Sequence, residues 1–332
     1  MVLYFGNIKS KGQSQIELIY NKLLENSEII IASHFDSKLM KMLHMVYVFY
    51  KYLPKRKIVF IDIYTGKAFY YAVIISLLCR FHNVEYVPVC HGGKLGDRLK
   101  NNKILCKIIF SNSKINFTPS KMLVKKLKIN NYRTEYVPNF INTNDYKSRV
   151  RGNLKPKILW VRAFHEIYNP VMALKTIQIL KEEYPEIRLC MVGPDKDGSL
   201  KYCKSLAENL KIFDNIKFTG YLSPNKWHGL SKGYDIFINT TNFESFGLSL
   251  IEAGALGLPL VSTNAGEIKY VYEHGKNAML VQKEDAVAMA SEINRLLKDN
   301  NLAKTLSSNG IKRSQKYNWD SIKKHWIKYI PN

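Results

Sequence analysis

Short continuous apolar runs alternate with longer stretches of helical periodicity along almost the whole chain, and this alternation occurs in two series. The runs read as buried strands, because a parallel strand covered on both faces has no polar side to alternate with. In the first series they are Val2–Phe5, Ile29–Ala32, Ile58–Ile63, Val84–Cys90, Ile115–Thr118 and Glu135–Val137. In the second they are Ile158–Val161, Arg188–Val192, Ile216–Thr219, Asp235–Asn239, Leu260–Ser262 and Met279–Val281. Strands separated by helices predict an α/β chain with two doubly wound parallel sheets. Between the series, the stretch from Val137-Pro138-Asn139 to Pro156 is polar, charged and strand-breaking, which places a linker at 143–156. The expected domains are therefore 1–142 and 157–316, with a last helical segment in 317–332.

One segment concentrates the chemistry. Tyr234–Thr240 reads as a buried strand, and Leu248–Leu256 as a helix stopped by Gly257 and Pro259. Between them lies Glu244-Ser245-Phe246-Gly247, so Glu244 sits on the loop at a strand's carboxyl end and Glu252 in the following helix. Open α/β sheets bind ligands at that edge. The N–H groups of Phe246, Gly247 and Leu248 at the helix start would point at an anion. An anion flanked by two carboxylates suits a nucleotide-sugar: amides for the diphosphate, one Glu for sugar hydroxyls and the other for ribose hydroxyls.

Glu244-x7-Glu252, followed by Ala253-Gly254-Ala255-Leu256-Gly257-Leu258-Pro259-Leu260-Val261 and Asn264-Ala265-Gly266, resembles the retaining glycosyltransferases of family 4. Those enzymes have the GT-B fold, two Rossmann-like parallel-sheet domains facing across a cleft. The Val137-Pro138-Asn139 linker is similar too, and the Trp319–Ile330 segment resembles the family's C-terminal helix, which crosses back onto the first domain.

The resemblance implies an acceptor-binding first domain, a nucleotide-sugar-binding second domain and roles for individual residues. Glu244 would orient the sugar, Glu252 the ribose, and Arg162 with the 246–248 amides the diphosphate. The family's Lys five positions after that Arg is Ile167 here, so either Tyr168, Asn169, His165 or a Lys elsewhere replaces it, or Arg162 and the helix amides handle the diphosphate alone. Gly193 corresponds to the close approach near the nucleotide, and Tyr221 and Leu222 to the turn that holds the base. His91, in Cys90-His91-Gly92-Gly93, would assist near the anomeric carbon, and Gly12 lies in the loop after the first strand. The implied activity is retaining transfer of a hexosyl or N-acetylhexosaminyl group from a UDP- or GDP-linked donor. The acceptor would be a glycan or lipid-linked molecule in cell-surface polysaccharide synthesis. A nucleotide-sugar 2-epimerase of the same architecture, or a catalytically silent sugar- or polyanion-binding module, are the alternatives.

Charge and composition narrow the setting. The 332 residues carry +23, of which residues 1–150, with 24 basic and 9 acidic residues, hold +15. Such a balance favours anionic partners. The basic residues are scattered among strand–helix units without a nucleic-acid recognition module, so no nucleic acid is expected. The stretch Lys38–Leu53, Met- and Tyr-rich with basic flanks, suits either an inward-facing helix or one lying on an anionic bilayer. Ala68–Cys79, the longest apolar run, is too short to span a membrane and reads as a buried helix. Five cysteines without ligand spacing read as reduced, buried thiols, and residues 1–6 lack the pattern of a secretory leader. The expected location is therefore cytoplasmic, peripheral on the inner face of the membrane. Asp195-Lys196-Asp197, the sole Asp-x-Asp, falls in a turn, so neither metal nor cofactor is expected beyond the donor itself.

Overall fold

The computed structural model describes residues 1–6, 29–32, 35, 37–55, 58–91 and 95–330. Gly12 and Gly92-Gly93-Lys94 lie outside the described residues. Among the described residues twelve strands form: β1 Val2–Phe5, β2 Ile29–Ala32, β3 Ile58–Ile63, β4 Tyr86–Cys90, β5 Asn116–Thr118, β6 Thr134–Tyr136, β7 Lys157–Val161, β8 Arg188–Val192, β9 Ile216–Gly220, β10 Ile236–Asn239, β11 Leu260–Thr263 and β12 Met279–Val281. The apolar runs locate each of them to within two residues.

The chain divides into two compact units, Met1–Asn139 with Ile322–Asn332, and Phe140–Ser321. Each holds a six-stranded sheet, ordered β2-β1-β3-β4-β5-β6 in the first and β12-β11-β10-β7-β8-β9 in the second. Every pairing is parallel. In the second unit the pleat sorts side chains onto two apolar layers. Ile158, Trp160, Ile236 and Ile238 enter one with Leu174, Ile177 and Ile293. Leu159 and Phe237 enter the other with Leu250, Ile251 and Val271. In the first unit Leu3, Phe5, Val59 and Ile61 face Met45, Phe49, Phe69 and Ile75 from two helices. On the opposite face, Trp326 packs on Phe60 and Phe117 at ring separations of 5.4 and 5.3 Å.

Two sequence expectations change. Residues 143–156 are polar because they satisfy buried groups of the second unit. Arg151, only 5% exposed, donates to the carbonyls of Leu256 (2.6 Å), Tyr234 (3.1 Å), Arg149 (3.2 Å) and Ser231 (3.3 Å). Burial, and then the neighbouring Arg149, bring its pKa down to about 10. Ser148 Oγ adds a hydrogen bond to the Ala255 carbonyl at 2.9 Å. The apolar run at 68–79 becomes the helix Phe69–Phe81, which is not fully buried: Tyr70, Ile74, Leu77 and Phe81 are exposed. Among the described residues, no helix is long and apolar enough to cross a membrane.

Candidate active site

The carboxyl ends of β7, β10 and β11 carry three loops joined by short side-chain hydroxyls. Thr240 accepts from Trp160 Nε1 (3.0 Å) and donates to the Tyr168 carbonyl (2.8 Å). Thr241 Oγ1 donates to the carbonyls of Ile167 (3.1 Å) and Phe243 (2.8 Å), and Thr263 Oγ1 donates to the Thr241 carbonyl (2.6 Å). These bonds hold the 162–169 loop against the loop of Glu244, which brings Arg162 and Glu244 together as an ion pair. Both side chains are largely buried, at 15% and 9% exposure. Arg162 Nε is buried without an acceptor, and the guanidinium lies 5.4 Å from the centre of the Tyr168 ring.

Glu244 is fixed from several sides. Its Oε1 accepts the N–H groups of Ser245 (3.1 Å) and Phe246 (3.4 Å), and its carbonyl accepts the Glu267 N–H (2.8 Å). The Phe246 amide, assigned from sequence to an anion, is thus directed at its neighbour's carboxylate. Gly247 starts the next helix, Leu248–Ala255, in a left-handed conformation (φ 90°). The N–H groups of Gly247 and Leu248 have no intrahelical acceptor and carry the positive end of the helix dipole. Gly266 lies so near that a Cβ on it would stand 2.1 Å from the Glu244 carbonyl oxygen.

Glu252 lies on that helix, which sits close to the helix Asn300–Gln315 through its small residues: a Cβ added to Gly254 would stand 3.2 Å from the Gly310 carbonyl oxygen. Its Oε1 accepts from the Tyr146 hydroxyl (3.1 Å) and lies 3.6 Å from His228 Nε2. Burial first, and then the Glu252 carboxylate, push the Tyr146 phenol far above its ordinary pKa. Sequence reasoning missed Tyr146 and His228. Tyr146 stands in a stretch that reads as linker, and His228 is a lone histidine in the short helix Pro224–Leu230. His228 also lines a cavity of about 510 Å³ with Asn225, Lys147, Arg149 and Lys232.

The other predicted positions sort by what they touch. Gly193 is required by packing, since a Cβ there would lie 1.7 Å from the Arg162 carbonyl oxygen. Of the groups expected to stand in for the absent Lys, Asn169 caps the helix Pro170–Lys181 through Met172 N–H (3.1 Å), and His165 Nδ1 accepts the Ile167 N–H (3.1 Å). Tyr168 stands with its ring 5.4 Å from the Arg162 guanidinium. Tyr221 is 64% exposed, while Leu222 packs partly into the core.

In the first unit His91 follows β4, and its Nε2 shares a hydrogen with Asp62 Oδ1 at 2.8 Å. The same oxygen accepts from Tyr4 (2.7 Å), Oδ2 is buried without a partner, and Tyr64 stacks on the imidazole at 5.1 Å. Asp62 was also missed, although it is visible as the single polar residue inside the apolar run of β3.

The residues of the Asp195-Lys196-Asp197 turn act locally: Asp195 accepts from Gly198 N–H, and Asp197 from Glu166 N–H and Ser199. Among the described residues, no group of three or more His, Cys, Asp or Glu is placed to hold a metal ion.

Comparison with known proteins names this arrangement. The family model "Glycosyl transferases group 1" matches residues 143–313, just over half of the chain, and the chain belongs to that family. The fold is GT-B. HepE of Anabaena, solved in complex with UDP and glucose, superposes with a TM-score of 0.77 at 17% identity over 98% of both chains. Sucrose-phosphate synthase from Thermosynechococcus elongatus gives 0.77 at 17% identity, over 98% of this chain and 97% of that one. Among curated relatives, a D-inositol 3-phosphate glycosyltransferase of Corynebacterium urealyticum is 27% identical over 180 residues, 52% of this chain and 42% of the relative. The chain thus matches less than half the length of that relative.

Proposed function

We propose that this protein is a retaining glycosyltransferase that moves a hexosyl or N-acetylhexosaminyl group from a UDP- or GDP-linked donor to a glycan or lipid-linked acceptor. Its setting is cell-surface polysaccharide synthesis at the inner, anionic face of the cytoplasmic membrane. The observation that carries this reading is the Arg162–Glu244 pair at the carboxyl end of a parallel sheet, beside a helix start whose first N–H groups have no intrahelical acceptor. Departure of a nucleoside diphosphate builds negative charge, and a fixed guanidinium with preset amides stabilises it without reorganisation. Arg162, Gly247 and Leu248 hold the diphosphate, Glu244 orients the sugar hydroxyls, and Glu252 receives the ribose hydroxyls beside Tyr146 and His228. Tyr221 and Leu222 adjoin the base. Retention follows a front-face route: the acceptor hydroxyl attacks beside the departing diphosphate, the glycosidic C–O bond breaks, and the proton passes to a diphosphate oxygen. His91, oriented by Asp62, is the first unit's polar group in this reading. The HepE complex with UDP and glucose supports a uridine-diphosphate donor.

Ile167 at the place of the family's Lys favours one competing reading, a silent sugar-binding module. Donor turnover separates the two. Incubated with UDP- and GDP-sugars in excess chelator, the protein is expected to release nucleoside diphosphate at an undiminished rate, because Arg162 and the helix amides supply the countercharge. Complete loss in chelator, restored by magnesium or manganese, would contradict metal independence; binding without any turnover would favour the silent module.

A further inference from the structure

Two neighbouring helices of the first unit turn apolar side chains away from their sheet. In Lys38–Lys51 the buried side is Lys41, Met45, Val48 and Phe49, while Leu39, Leu43, Tyr47 and Tyr50 are exposed. In Phe69–Phe81 the buried side includes Phe69, Ala72, Val73, Ile75 and Cys79, yet Tyr70, Ile74, Leu77 and Phe81 form an outer stripe of the same character. Exposure along that stripe runs from 38% at Ile74 to 81% at Phe81. A helix apolar on all sides belongs in a core or against lipid.

The two stripes make one surface. Tyr71 Oη donates to the Lys38 carbonyl (3.2 Å) near both helix starts, and Tyr50 meets His82 edge-on (5.4 Å) near both helix ends. Between Ser37 and Val84 the sequence holds one carboxylate, Asp62, and it is 5% exposed inside the sheet. Lys38, Lys51, Lys55, Lys67 and Arg80 are all exposed around the stripes. Contiguous apolar surface of this kind marks an interaction site. A rim of exposed cations complements anionic headgroups, with exposed Glu85 beside Phe81 paired to Lys114 at 2.7 Å, and tyrosines suit the interfacial depth.

We infer that this two-helix face is a docking platform for an anionic lipid bilayer. The inference deepens, and rests on, the membrane-face setting proposed above; it fixes which surface meets the lipid. The helices lie flat, with their outer stripes entering the headgroup region and the lysines on phosphate.

The full chain, sedimented with vesicles of phosphatidylglycerol and phosphatidylcholine, is expected to bind. It should be released at high salt and bind pure phosphatidylcholine vesicles weakly. The double variant Leu43→Glu, Phe81→Glu should lose about tenfold or more of the vesicle-bound fraction. Ile129→Glu, at an 80% exposed position on another helix of the same unit, should keep it. Should the double variant fail to fold, Phe81→Trp provides a second readout: its emission should shift to the blue on adding anionic vesicles. Donor turnover measured without vesicles reports on the transferase reading separately and should be unchanged in all these variants. Equal binding to neutral and anionic vesicles, no binding, undiminished binding of the folded double variant, or an unshifted emission from the Phe81→Trp variant would overturn the platform. A dimer in ultracentrifugation that Leu43→Glu dissociates, without vesicle binding, would assign the surface to a second copy instead.

Discussion

Glu244→Ala is expected to abolish sugar transfer, a fall of about 10²–10³ or more in kcat, while nucleotide affinity stays within a few-fold. The carboxylate holds Arg162 through one oxygen and the Ser245 and Phe246 amides through the other. Removing it discards the group assigned to the sugar hydroxyls, whose contacts matter most as the anomeric carbon is displaced. The nucleotide loses nothing directly. Arg162, relieved of its counterion, presents a stronger charge to a diphosphate, so the small change in affinity should be toward tighter binding. Breaking a largely buried ion pair costs about 3–5 kcal/mol of stability, so a lower Tm should accompany the kinetic loss. Turnover kinetics, UDP titration and thermal melting of the same preparation check the three parts. Undiminished turnover, or a large loss of nucleotide affinity, would show that Glu244 does not serve the sugar.

Glu252→Ala should behave in the opposite way. Ribose is common to donor and product, so losing its acceptor weakens free nucleotide as well as nucleotide-sugar. A hydrogen bond to a charged group contributes about 1.5–3 kcal/mol, or roughly ten- to a hundredfold in Kd. Tyr146, which donates to Glu252, and His228, 3.6 Å from it, are the groups a ribose would displace or join. Calorimetric titration with UDP and GDP gives the number. If Glu252→Ala left nucleotide binding intact and removed only turnover, the assignment of the two carboxylates would have to be exchanged.

The fold was legible because parallel strands buried on both faces announce themselves as uninterrupted apolar runs, and all twelve are found close to where those runs lie. Glu244 and Glu252 were legible because a strand–loop–helix unit fixes their spacing. Partners from distant parts of the chain were not. Nothing local in Tyr146 or His228 marks them as neighbours of Glu252, and their meeting depends on residues 143–156 folding onto the second unit through Arg151. Asp62 carried a signal, a lone acid in an apolar strand, whose meaning appears only when Tyr4 and His91 converge on it. Gly193 carries a requirement that its local sequence does not show: the backbone of Arg162 leaves no room for a Cβ there. The outer stripe of Phe69–Phe81 was misread because an all-apolar helix and a buried one look the same in sequence.

The most direct measurement is a proton NMR time course of the protein with UDP- and GDP-linked sugars and an alcohol acceptor, followed at the anomeric resonance. A retaining transferase releases nucleoside diphosphate and forms first a glycoside with the donor's anomeric configuration, without added metal. An inverted first product, a 2-epimerised sugar, or saturable donor binding with no product at all would contradict that assignment.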